Sequence, residues 1–118
     1  MTDQRNHQIL SDLNPQHAAL RERIPEVYKG FAQMSRAATI AGELDTMTKE
    51  LIALAIGVVH GCDGCIASHA RAAAKAGASK QQAAEAIGVT FLMHGGPATI
   101  YGARAYTAFC EFLDAEDA

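Results

Sequence analysis

The sequence predicts an all-α fold, and three observations carry that prediction. Alanine, the residue with the highest helix propensity, accounts for 24 of the 118 residues and is concentrated after Ala32. β-branched residues form no alternating runs of the kind that strands show. Prolines, glycines and capping residues divide the chain into segments of helical length. We therefore expect one compact helical bundle spanning residues 1–118, with its core at about residues 25–113.

Prolines set the expected helices of the first part of the chain. A short helix is expected over Asp3–Leu13, and a second over Pro15–Arg23. The next is expected over Pro25–Ala41, because proline fits the first helical position, where its missing N–H costs nothing. Gly42 ends that helix, since glycine has a low helix propensity.

Glycines and capping residues delimit the remaining helices. The expected segments are Thr46–Val59, Asp63–Ala76, Ser79–Met93 and Pro97–Leu113. The third of them opens with capping-box spacing, a serine followed three residues later by glutamine. Residues 114–118 are rich in acidic side chains and are expected to form a mobile tail.

Charge and composition exclude several classes of function. Ten Lys and Arg residues against 13 Asp and Glu residues give a net charge of −3, and no basic run is present, which disfavours nucleic acid or an anionic membrane as a partner. The first residues are polar, unlike a secretory signal, and no apolar run reaches the length of about 18 residues that a membrane span needs. Three cysteines are too few for a disulfide scaffold. We expect a cytoplasmic protein.

One apolar run bears on assembly. Residues Leu51–Val59 read LIALAIGVV and offer no polar face, so this helix is expected to be buried on all sides. A chain of this length buries only about two-thirds of its surface. We therefore expect another subunit to cover part of it, as wide apolar surfaces commonly mark interfaces. The alternative is a central helix within a monomer.

The residues that can carry chemistry begin with a C-x-x-C pair. Cys62 and Cys65 lie at a turn that enters a helix, where such a pair can close a disulfide with little movement. The helix N-terminus also stabilises a thiolate there. His69 lies four residues after Cys65, so the two share a helix face. His69 can take a proton from Cys65 or stabilise its thiolate as a cation.

Glu50 joins this group only if the chain folds back on itself. It precedes Cys62 by twelve residues, which along one straight helix is about 18 Å. If the two helices form an antiparallel hairpin, Glu50 and His69 come level with each other. The carboxylate would then orient the imidazole and raise its basicity. A glutamate in an apolar helix also needs a partner if it is buried.

Other interpretations of these residues stay open. The cysteine pair could supply half of a zinc site, with His69 and either His60 or Glu50 as the other ligands. Glu50 alone could be a solvated first-turn acid, and His60 could simply complement the helix dipole at a C-terminus. The third cysteine, Cys110, lies between aromatic residues and is expected to be a buried core thiol.

The spacing of these residues resembles a known family. Glu50, Cys62, Cys65 and His69, separated by eleven, two and three residues, resemble the core motif of alkylhydroperoxidase D-like proteins. Those proteins form part of the carboxymuconolactone decarboxylase superfamily. The stretch MHGGPATIYGARA, residues 93–105, also resembles the end of that domain, so the likeness extends over about residues 44–112.

The resemblance implies an all-α domain that associates, commonly as trimers or hexamers. It implies that Cys62 and Cys65 form a redox-active disulfide and that Glu50 and His69 form a proton relay. No bound cofactor is implied. The implied substrate is a peroxide or a disulfide, an external dithiol such as a lipoyl group donates the electrons, and a peroxiredoxin or a lipoylated protein is a candidate partner.

The sequence departs from the best-studied branch of this family at one position. That branch has a histidine directly before the second cysteine, where this chain has Gly64. His60 is a possible auxiliary residue in its place. The lactone decarboxylases of the superfamily generally lack the cysteine pair, which disfavours decarboxylation.

We therefore expect a thiol–disulfide oxidoreductase with alkylhydroperoxidase-like antioxidant activity. In this expectation the Glu50–His69 relay activates Cys65, and Cys62 closes the disulfide. The alternative is a zinc-binding or non-redox member of the same superfamily.

Overall fold

A computed structural model describes residues 4–117, and over this range the fold is entirely α-helical. The six helices are α1 (Arg5–Arg23), α2 (Pro25–Thr39), α3 (Thr46–His60), α4 (Asp63–Lys75), α5 (Lys80–His94) and α6 (Gly96–Asp117). The predicted all-α class is thus confirmed. Asp3 and Ala118, which the sequence assigned to a helix and to a tail, lie outside the described residues.

Helices α3 to α6 build the core. α3 packs against α4 and α5, and α6 packs across α4 and α5. The largest fully buried side chains of this core are Leu54, Val58, Ile66 and Phe109. Alanines supply nine of the fifteen buried hydrophobic residues, so the helices approach one another closely around few bulky side chains. The alanine-rich composition therefore serves packing as well as helix propensity.

Side-chain caps fix the starts of two core helices. The Asp45 carboxylate accepts the Thr48 N–H at the start of α3, at 2.7 Å. At the start of α5 the Ser79 hydroxyl accepts the Gln82 N–H, and the Gln82 side chain accepts the Ser79 N–H, at 3.0 and 2.9 Å. The predicted capping box is therefore confirmed, and it satisfies N–H groups that have no partner within the helix.

The predicted helix break before Pro15 is wrong, because α1 runs continuously through that residue. A proline inside a helix removes one hydrogen bond, here the one to the Ser11 carbonyl. Ser11 and Pro15 are both exposed, so water can reach this part of the helix. α1 also packs against α4 and α6, and such tertiary packing supports a helix beyond its intrinsic propensity.

α6 also continues beyond its predicted end at Leu113. The helix includes residues up to Asp117, because no glycine or proline follows that could end it. An ion pair between Lys80 and Asp114, at 3.5 Å, connects this last part to the start of α5. The mobility expected for the tail and the single-domain organisation stay predictions.

A glutamate of α6 holds the start of α1. The residue at the N-cap of α1, Gln4, offers no side-chain hydrogen bond. Instead the buried Glu111 carboxylate accepts the backbone N–H groups of Asn6 and His7, at 3.0 and 2.7 Å, and the Asn6 side-chain amide at 3.0 Å. A carboxylate suits this place because the helix N-terminus carries partial positive charge. Glu111 thus anchors α1 to the core.

Several apolar side chains remain exposed. No residue of α2 is buried, and its Val27, Phe31 and Met34 are each at least 60% exposed. Ile52 and Ile56 of α3 are 46% and 52% exposed, so the expectation that this helix is buried on all sides is wrong within one chain. Cover by a second subunit stays a prediction. Among the described helices, none combines the length and hydropathy that a membrane crossing requires.

Candidate active site

The turn between α3 and α4 carries the cysteine pair. Gly61 ends α3 in the left-handed region, at φ 64°, which favours glycine. The ring of Tyr101, from α6, packs against it, so that a Cβ on Gly61 would lie 3.1 Å from the ring. Backbone conformation and close packing both require glycine directly before Cys62.

Cys62 and Cys65 are joined by a disulfide, with their Cα atoms 5.2 Å apart. Cys62 is the N-cap residue of α4, and its Sγ accepts the Cys65 N–H at 3.2 Å. In the reduced protein the same N–H and the helix dipole would stabilise a Cys62 thiolate. Cys65 is the more exposed of the two residues. The two cysteines therefore differ in residue exposure and in the contact that Cys62 Sγ makes with the helix N-terminus.

Glu50 and His69 face each other across the α3–α4 hairpin. The His69 Nδ1–H donates to Glu50 Oε1 at 2.7 Å. The glutamate is buried at 7% exposure, while the histidine side chain is 32% exposed. The predicted antiparallel pairing of these two residues is confirmed. Because the Nδ1–H group is engaged in this hydrogen bond, Nε2 is the ring nitrogen that can exchange a proton with a substrate.

The link from this pair to the sulfurs stays a prediction. Within residues 4–117, no hydrogen bond joins His69 to Cys62 or Cys65. His60 is exposed at the C-terminal end of α3, where its auxiliary role is likewise untested. Glu50, His69 and the cysteine pair lie on one helical hairpin. A bound substrate would have to connect the Glu50–His69 pair with the sulfurs.

Sequence reasoning missed two supports of the cysteines. A Cβ on Gly57 of α3 would lie 3.4 Å from Cys65 Cβ, so this glycine lets the two helices approach behind the disulfide. A Cβ on Gly64 would lie 3.2 Å from the Leu13 side chain, so α1 covers the position between the cysteines. The available signal for Gly57 was a lone glycine within an apolar helix, which often marks close packing.

The remaining candidates are Cys110 and the possible zinc ligands. Cys110 is a free thiol and is only partly buried, so the expectation of a buried core thiol is wrong in degree. It lies on α6 beside the exposed Tyr106, and interaction with Cys110 raises the pKa of that phenol. In the described part of the chain, no three His, Cys, Asp or Glu side chains converge on a possible metal position. The zinc alternative stays a prediction.

Comparison with known sequences places these features in a family. The sequence profile described as "Carboxymuconolactone decarboxylase family" matches residues 25–108. An uncharacterized protein of Cupriavidus necator is 36% identical over 100 residues, which cover 85% of this chain and 88% of that protein. An uncharacterized protein from the cox locus of Paracoccus denitrificans is 36% identical over 81 residues, covering 69% and 73% of the two chains.

Solved structures show the same fold. The crystal structure of an apo carboxymuconolactone decarboxylase family protein from Legionella pneumophila superposes with a TM-score of 0.90 at 39% identity, covering 94% of this chain and 99% of that one. The crystal structure of a putative carboxymuconolactone decarboxylase from Burkholderia xenovorans gives a TM-score of 0.77 and covers 95% of this chain and 96% of that one. At 23% identity, it shows a likeness of fold alone.

Proposed function

The chain belongs to the carboxymuconolactone decarboxylase family, and on that premise we propose that it is a thiol–disulfide oxidoreductase with peroxidase activity. One observation carries the proposal. The Cys62–Cys65 disulfide lies at a helix N-terminus, on the same hairpin as a hydrogen-bonded Glu50–His69 pair. A stabilised thiolate and a positioned proton carrier are what thiol-based reduction of a peroxide requires.

In the oxidative half of the reaction, the reduced pair gives two electrons to a peroxide. His69 takes the proton of the Cys65 thiol, the resulting thiolate attacks one peroxide oxygen, and the O–O bond breaks. His69 then returns that proton to the departing alkoxide, which leaves as an alcohol. Cys65 is left as a sulfenic acid. The Cys62 thiol then loses its proton and attacks the Cys65 sulfur, the S–O bond breaks, and the departing hydroxide takes that proton and leaves as water while the disulfide forms.

In the reductive half, an external dithiol restores the thiols. One of its thiolates attacks the exposed Cys65 sulfur, and Cys62 leaves as the thiolate that the α4 N-terminus stabilises. The second thiol of the donor then attacks the mixed disulfide. The donor leaves as its own disulfide, and the protein regains two electrons and two protons. We propose two partners. A lipoyl group, free or carried by a protein, donates the electrons, and a peroxiredoxin accepts them.

We further propose that copies of the chain associate, and that the protein acts in the cytoplasm. Support for association comes from the exposed apolar side chains of α2 and α3, since such surfaces commonly mark interfaces. Analytical ultracentrifugation should give a mass several times that of one chain. The double variant F31E/M34E should sediment at a lower mass, and a wild-type protein that sediments as a monomer would contradict the proposal.

A redox titration tests the proposed function directly. Differential alkylation and mass spectrometry would follow the Cys62–Cys65 pair across glutathione or dithiothreitol buffers. We expect a reversible two-electron midpoint in the range of roughly −330 to −200 mV, where working cytosolic dithiols lie.

The same preparation should consume an organic hydroperoxide when a dithiol is supplied. Cys62→Ser and Cys65→Ser should each abolish this turnover, whereas the matched variant Cys110→Ser should retain it. Full turnover in either of the first two variants, or a pair that forms no disulfide at any potential, would refute the function.

A further inference from the structure

The ring of Tyr101 brings a hydroxyl group from α6 to the turn that carries the disulfide. The ring atoms nearest to the Cβ position of Gly61 are Cζ, Cε2 and Cε1, at 3.1, 3.2 and 3.5 Å. These three atoms form the phenol end of the ring, and the hydroxyl oxygen is bonded to Cζ. The hydroxyl therefore lies beside Gly61, the residue directly before Cys62. The proposed reaction steps do not use it.

Cys65 lies close to the same part of α3. The Cβ position of Gly57, one helical turn before Gly61, is 3.4 Å from Cys65 Cβ. One turn of helix spans about 5.4 Å, so Tyr101 and Cys65 contact α3 at neighbouring positions. A peroxide that approaches the Cys65 sulfur therefore comes close to the phenol.

The Tyr101 hydroxyl can serve a substrate as a hydrogen-bond donor. In the part of the chain that the structure describes, no other protein group forms a hydrogen bond with it. The Tyr28 hydroxyl, by contrast, lies 2.9 Å from His17 Nδ1. The Tyr101 side chain is half-buried, and the Arg104 guanidinium lies over its ring, 5.3 Å from the centroid. These contacts with Gly61 and Arg104 orient the ring, so the hydroxyl is a positioned donor.

We propose that the Tyr101 hydroxyl donates a hydrogen bond to the peroxide oxygen that departs as the alkoxide when Cys65 is oxidised. The inference rests on the proposed function and adds a catalytic residue to it. Negative charge develops on this oxygen as the O–O bond breaks, and a positioned donor stabilises that charge more than it stabilises the intact peroxide. His69 still delivers the proton, so the phenol keeps its own and the balance of the reaction is unchanged.

Tyr101→Phe tests the inference, because it removes the hydroxyl and keeps the ring that packs on Gly61. Rapid-quench alkylation should show that tert-butyl hydroperoxide oxidises the reduced cysteine pair about tenfold more slowly in this variant, the effect of one hydrogen bond to a charged group. Peracetic acid releases acetate, a far weaker base than tert-butoxide, so its reaction should slow by less than about twofold. A role in packing alone would slow both oxidants equally. Tyr106→Phe removes an exposed hydroxyl from the same helix and should match the wild type with both.

The redox midpoint of the pair separates this role from an effect on the sulfurs. The midpoint compares the disulfide with the dithiol in the absence of peroxide, so Tyr101→Phe should keep the wild-type value. A shifted midpoint would place the effect of the hydroxyl on the cysteines and overturn the inference. Equal losses with both oxidants, or no loss with tert-butyl hydroperoxide, would also overturn it, and in each case the wild-type protein still reduces peroxides. If the wild-type pair reacts with neither oxidant, the proposed function fails and the inference fails with it.

Discussion

Two glutamate–histidine pairs within residues 4–117 differ in the other hydrogen bonds that the glutamate accepts. Glu50 and Glu111 are both buried, at 7% and 3% exposure, and each accepts a hydrogen bond from the Nδ1 atom of a more exposed histidine, His69 and His7. The Glu50 carboxylate has His69 as its hydrogen-bond partner. The Glu111 carboxylate also accepts two backbone N–H groups and the amide of Asn6.

The additional donors give Glu111 a structural role, whereas the proposed function gives Glu50 a chemical one. Glu111 is engaged mainly with the N-terminus of α1, so its histidine is one contact among several. Glu50 accepts a hydrogen bond from His69, and both residues lie on the hairpin that carries the disulfide. A glutamate beside a histidine therefore indicates a role only when the other hydrogen-bond partners of the carboxylate are also known.

Turnover gives the largest expected contrast between the two pairs. Glu50→Gln and His69→Ala should each lower peroxide turnover by about 10²–10⁴-fold, because a positioned proton carrier contributes that much. Glu111→Gln and His7→Ala should leave it within about twofold. Steady-state peroxide consumption with a saturating dithiol measures all four, and circular dichroism confirms that each variant is folded. Equal losses in both pairs would remove the distinction.

Stability should show the opposite contrast. Glu111→Ala leaves the N–H groups of Asn6 and His7 without a carboxylate, so the free energy of unfolding should fall by about 3 kcal/mol. Glu50→Ala leaves only His69 without a partner, and an imidazole can turn toward water. The expected loss there is about 1 kcal/mol. Urea unfolding followed by far-ultraviolet circular dichroism gives both values, and a larger loss for Glu50→Ala would reverse the assignment.

The two pairs also differ in how well the sequence predicts them. Glu50 and His69 lie on adjacent helices of one hairpin, so helical spacing and a single turn are enough to place them level. His7 and Glu111 are 104 residues apart, and no local pattern connects them. Their contact depends on how α1 packs across α4 and α6, which is a property of the whole fold.

The same difference between local contacts and contacts across the fold explains which other features the sequence predicted correctly and which it did not. Caps at Ser79 and Asp45 act within one helical turn, so residue types predict them. The continuity of α1 through Pro15 and the contact of Tyr101 with Gly61 depend on neighbouring helices. Exposed apolar residues on α2 and α3 follow the same rule, because amphipathic pattern identifies an apolar face and not what covers it.

The smallest effect is the pH dependence that Glu111 should add to stability. Burial alone raises the pKa of Glu111, but the hydrogen bonds from Asn6 and His7 together outweigh it and hold the pKa below its ordinary value of 4.5. A carboxyl group with a lowered pKa stabilises the folded state above the unfolded pKa. That contribution is lost as the pH falls through the folded pKa, since the unfolded chain takes up the proton more readily.

Urea unfolding between pH 7 and pH 3 should therefore reveal a difference in acid dependence between the wild-type protein and a variant without this carboxylate. Below the ordinary pKa of a glutamate, the wild-type protein should lose more stability than Glu111→Gln, whose amide does not titrate. Glu116→Gln removes an exposed carboxylate from the same helix and should follow the wild type. If Glu111→Gln keeps the full acid dependence, the carboxylate is not what fastens α1, and the N-terminus of that helix is held by packing alone.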